Sequence, residues 1–133
     1  AYVNALPGTQ SAAIRFSPAG GMSGGGGTTI SMPSVYGPQP TGNAIQQFVS
    51  ECQGDFVTPP PDDRFINFNA TACGYFDSSQ VQFLQFGTTA ATPTWACKLD
   101  PTKTYYLNFR YRNPNGSSSC AGACAVYVDE NVN

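Results

Sequence analysis

Apolar residues recur at alternate positions along this chain, in short runs separated by turn residues. The clearest run is Thr104-Tyr-Tyr-Leu-Asn-Phe-Arg-Tyr-Arg112. Successive side chains of an extended strand point to opposite faces. Tyr105, Leu107, Phe109 and Tyr111 therefore share one side, predicted to face a core, and Tyr106, Asn108, Arg110 and Arg112 share the other. The same period marks Ala12 to Ser17, with Ile14 and Phe16 in phase and Arg15 out of phase, and Thr28 to Met32, with Ile30 and Met32 in phase. Further strands are predicted over Arg64 to Ala70, over the aromatic-rich Gln80 to Phe86 and over Cys124 to Asp129. In the first of these, Ile66 and Phe68 face one way and Phe65, Asn67 and Asn69 the other. Helical spacing occurs only in Gly42 to Glu51, through Ile45, Phe48 and Val49, and Ala44 to Ser50 also reads as a strand.

About seven short strands cut by frequent turns predict an all-β fold, an antiparallel β-sandwich of jelly-roll or immunoglobulin-like type. The 11 Pro and 14 Gly supply the turns. A length of 133 residues suits one domain. Within it, residues 1–27 read as an N-terminal arm and residues 28–133 as the sandwich body. The arm carries a modest strand, with Ile14 and Phe16 as its candidate assembly residues. It ends in the hinge Ala19-Gly-Gly-Met-Ser-Gly-Gly-Gly-Gly27, a composition typical of flexible linkers. A strand on such a tether can complete the sheet of a second copy.

Composition narrows the functional classes. Charged residues make up 11% of the chain, with six Lys and Arg and a net charge of −2. Neutralising a phosphate backbone takes many basic side chains, so a nucleic-acid partner is disfavoured. No apolar run approaches the roughly 20 residues of a membrane helix. The small residue at the start of Ala1-Tyr2-Val3 is compatible with a mature end left after cleavage of a secretion signal. Five cysteines suit an oxidising, extracellular setting. Cys120-Ala-Gly-Ala-Cys124 is spaced to close a tight disulfide loop, and at most two of Cys52, Cys73 and Cys97 can pair with each other. Asn69-Ala-Thr71 and Asn115-Gly-Ser117 are acceptor triplets for N-glycosylation.

Catalytic chemistry finds little support. Histidine is absent, which removes the commonest general base, the nucleophile–imidazole pairs and the commonest metal ligand. Asp62-Asp63 are too few for a calcium site of roughly six to eight oxygens. Glu51 and Asp55 are a weak carboxylate pair, because Gly54-Asp55-Phe56 reads as a turn whose Asp caps backbone N–H groups. Asp129-Glu130 read as a solvated end. Cys97 beside Lys98 is the one suggestive thiol, better read as a disulfide partner. No metal and no cofactor are expected. The face of Tyr106, Asn108, Arg110 and Arg112 is a candidate binding face, because Tyr and Arg combine large area with directed donors. Trp95 is expected to pack beside a disulfide.

Cys52-Gln-Gly-Asp-Phe56, followed by Cys97-Lys-Leu-Asp-Pro-Thr-Lys-Thr-Tyr-Tyr-Leu-Asn108, resembles a set of uncharacterised secreted bacterial β-proteins with a similar turn and a similar late strand. The resemblance spans roughly residues 45–128 and implies no activity. In architecture alone, the arm, hinge and body also resemble pilus subunits that assemble by donor-strand exchange, without sharing a residue motif. The expectation is a non-enzymatic structural subunit of an extracellular filament or surface assembly. It would be joined to copies of itself through the N-terminal strand, and the alternative is a carbohydrate-binding or adhesion module whose partners are glycans.

Overall fold

Most of the alternating runs lie in strands. The structure, a computed structural model, describes residues 2–7, 11–18, 20–21, 26–31, 45–78, 82–112 and 123–131. In chain order the strands are β1 (Tyr2–Pro7), β2 (Ser11–Phe16), β3 (Gly26–Ser31), β4 (Ile45–Ser50), β5 (Phe65–Asn67), β6 (Ala70–Thr71), β7 (Gly74–Ser78), β8 (Gln82–Gly87), β9 (Cys97–Lys98), β10 (Tyr105–Tyr111) and β11 (Ala123–Asn131). The described residues contain no helix. One sheet of six strands has the order β2-β10-β4-β7-β6-β5 and is antiparallel throughout. A second sheet of five strands has the order β1-β11-β3-β8-β9, with one parallel pair, β8 with β9.

Several expectations are refined. The segment with helical spacing is strand β4, buried at all six positions between β10 and β7. A strand covered on both faces loses the polar alternation that would have marked it. The run Arg64 to Ala70 is broken at Phe68-Asn69 into a small hairpin, β5 and β6, with a register shift between Phe65 and Asn67. Residues 2–7 and 11–16 form two strands, β1 and β2. β1 pairs with β11 from Tyr2↔Val128 to Pro7↔Ala123, and β2 pairs with β10 from Phe16↔Tyr105 to Ser11↔Arg110. The N-terminal segment thus supplies an edge strand to each sheet. The hinge lies only partly within the described residues, where Gly21 has φ +81°.

The core draws on both sheets: Ile45, Val49, Leu107, Phe109 and Tyr111 from the six-stranded sheet meet Leu84, Phe86 and Cys97 from the other. Ala12, Ile14 and Phe16 of β2 pack against this cluster, and Arg15 is exposed. The phasing expected for β2 therefore holds. A disulfide joins Cys73, beside β7, to Cys97 on β9, and so ties one sheet to the other. It closes a separation of 24 residues, which by chain entropy is worth about 3 kcal/mol. Cys52 is a free, exposed cysteine. Cys120 lies outside the described residues, so the proposed Cys120–Cys124 loop does too.

Candidate functional site

The outer face of β10 was the leading candidate, and the structure gives it a different occupant. The chain leaves β4 at Ser50 and turns back through Cys52-Gln-Gly-Asp-Phe56, with Gly54 at φ +77°. That positive φ is one that L residues other than Gly, Asn and Asp rarely adopt. The turn docks on Asn108. The Gly54 N–H donates to Asn108 Oδ1 at 2.7 Å. Asn108 Nδ2 in turn lies 3.0 Å from Ser50 Oγ, 3.1 Å from the Asp55 carbonyl and 3.3 Å from the Cys52 carbonyl. Asn108 is fully buried, and its amide uses both ends, as a buried amide must.

The rest of that face is also engaged. Arg110 stacks its guanidinium 4.0 Å from the centroid of the Phe56 ring and donates to Gln46 Oε1 at 2.9 Å. Arg112 donates to the same oxygen at 3.2 Å. Asp55 caps the far end of the turn, accepting from the Val57 and Thr58 N–H groups at 2.8 and 3.0 Å, as its sequence context predicts. These bonds, the one from Val57 foremost, hold its carboxyl below the usual carboxylate range. The candidate binding face is thus half-buried at Tyr106, Arg110 and Arg112 and closed at Asn108. The turn and the late strand singled out together in the sequence are one packed unit.

Other candidates resolve in turn. Asp63 accepts from the N–H groups of Arg64 and Cys73 at 2.9 and 2.8 Å, and Asp62 lies 4.0 Å from Lys98 Nζ. Among the described residues, no three of Cys, Asp and Glu gather as a metal site would require. Glu51 pairs with Lys103 at 3.2 Å rather than with Asp55, and this pairing raises the Lys103 pKa. Cys97 is consumed by the disulfide. Trp95, two residues before the disulfide's Cys97, stands 54% exposed. Asp129 and Glu130 lie within β11, opposite Thr29 and Thr28, rather than at a free end. Asn115 lies outside the described residues.

Two surface features escaped the sequence reading. A cleft of about 300 Å³ opens beside Asp62, Lys98, Asp100, Lys103 and the buried Tyr105. Tyr105 Oη accepts the Asp100 N–H at 2.9 Å on its wall. The second feature is the β5–β6 hairpin, whose apolar side chains face solvent: Phe68 is 97% exposed and Phe65 73%, their rings edge to face at 6.3 Å. Their position on the last strand of the sheet and in the turn that follows it leaves them uncovered. Neither a family model, nor a known protein, nor a solved structure matches the chain.

Proposed function

We propose that this chain is a non-catalytic structural subunit of an extracellular assembly, its two sheets stacked as a sandwich and joined to neighbouring copies through its N-terminal strands. One observation carries this reading: the N-terminal segment forms the outermost strand of both sheets, β1 beside β11 and β2 beside β10. Edge strands can be exchanged between copies without disturbing the order of the strands inside. The same pairing contacts, made in trans, would link one molecule to the next. The disulfide fits an extracellular setting.

The test uses the register Ser11↔Arg110. In a Cys52→Ser background, one tagged copy carries Ser11→Cys and a differently tagged copy carries Arg110→Cys. The two are mixed at high concentration and oxidised. A disulfide between the two tags supports exchange. Cross-linking found only in a control chain that carries both Ser11→Cys and Arg110→Cys, with a monomer mass at every concentration by light scattering, would overturn it. A second reading, a carbohydrate-binding or adhesion module, rests on the exposed Trp95 and the cleft beside Lys98. Glycan-array binding lost on Trp95→Ala would support it, and silence across the array would remove it.

A further inference from the structure

The β5–β6 hairpin carries a second signal besides its exposed rings. Asn69 sits in the turn, exposed, with its N–H bonded to Asn67 Oδ1 and its carbonyl accepting from Phe76 N–H. Its side-chain amide makes no hydrogen bond among the described residues. Two positions on, Thr71 Oγ1 is buried and has no partner. A buried hydroxyl without a partner costs the fold stability, and a valine of the same shape would not. The hydroxyl therefore does no structural work, while Asn69-Ala-Thr71 is the triplet that an oligosaccharyltransferase reads.

We infer that Asn69 is an N-glycosylation site whose glycan covers the Phe65 and Phe68 rings. In the transfer, the Asn69 Nδ2 forms a bond to the anomeric carbon of a lipid-pyrophosphate oligosaccharide. The carbon–oxygen bond to the pyrophosphate breaks, that lipid pyrophosphate leaves, and the amide gives up one proton. Because Thr71 Oγ1 is enclosed once β6 has paired, transfer precedes closure of the hairpin. The sugar then sits beside two aromatic faces that otherwise meet water. It also blocks β5, the edge of the six-stranded sheet opposite β2, which leaves the N-terminal edge open.

The experiment secretes the full chain from a host carrying an oligosaccharyltransferase. Peptide N-glycosidase digestion in heavy-oxygen water then labels each occupied asparagine for mass spectrometry. Label at Asn69 is expected, with loss in Asn69→Gln and Thr71→Val and retention in Thr71→Ser. Thr71→Val should melt at least as high as the unglycosylated parent. Enzymatic removal of the glycan should raise binding of a hydrophobic dye, and Phe65→Ser with Phe68→Ser should cancel that rise. An unlabelled Asn69, or label on Asn115 alone, overturns the site. A lower melting point for Thr71→Val shows that its hydroxyl serves the fold and removes the argument from Thr71. An unchanged dye signal overturns the covering role.

Discussion

The two faces of the β4–β10 pair are both covered, one fully and one in part, yet they are built on opposite principles. On the inner face, Tyr105, Leu107, Phe109 and Tyr111 of β10 and Ile45 and Val49 of β4 join Leu84 and Phe86 of the five-stranded sheet in one apolar cluster. On the outer face, Asn108, Arg110 and Arg112 are covered by their own chain, through the turn 52–56 and Gln46. Apolar packing is non-directional and proportional to the area removed from water. A polar face can be covered only if each group keeps a partner. The inner face should therefore answer to changes in volume, and the outer face to changes in hydrogen bonding.

The largest separation is expected from Phe109→Ala. Phe109 is fully buried, and removing a core ring costs about 3–5 kcal/mol. Urea unfolding should lose that much, with hydrogen exchange of the Gly54 amide changing only as global stability changes. Asn108→Ala should cost about 2–4 kcal/mol, because it strands the Gly54 N–H and the acceptors of the turn. Here Gly54 exchange should rise more than the global loss explains, and proteases should cut between residues 52 and 58. Equal exchange behaviour in the two variants would erase the distinction between the faces.

A pH titration separates the faces without mutation of the turn. Burial at the end of β10 pushes the Tyr111 hydroxyl up to about 12, since a low-dielectric site disfavours the phenolate. Its ordinary value is 10.0, so its stabilising contribution is complete below pH 10 and is lost as the pH climbs to about 12. The loss should reach about 2–3 kcal/mol. Tyr111→Phe should flatten that alkaline limb of the stability curve. Asp55 on the outer side works in the opposite direction. Its lowered pKa stabilises the fold above the ordinary carboxylate range, and this contribution is lost as the pH falls through the lowered value.

The inner face was legible in the sequence because it depends on period alone. Tyr105, Leu107, Phe109 and Tyr111 are spaced by two and are all buried. The outer face was legible as a polar row, but not as a covered one. What covers Asn108 is a turn 54 residues earlier in the chain, and no local pattern encodes a partner that distant. The brief strand β9 failed to register for a related reason. It owes its form to pairing with β8 and to the disulfide. The exposure of the apolar residues of β5 was not legible, because alternation says nothing of which strand ends a sheet.

The smallest effect tests the rule where the fold breaks it. Gln47 lies on the inner face, opposite Phe109 in register, and is fully buried. Neither end of its amide has a hydrogen-bond partner. Asn108, equally buried on the other face, uses both ends of its own. The two amides thus carry opposite expectations. Gln47→Met keeps the length and removes two unpaired polar atoms, so it should raise stability by about 1–2 kcal/mol. Asn108→Leu, which keeps the branched shape of Asn without its amide, should destabilise, since the turn would lose the groups that hold it. Denaturation midpoints at one pH decide the matter. A destabilised Gln47→Met would mean that the core amide binds an internal water and that the inner face, too, is held by directed bonds.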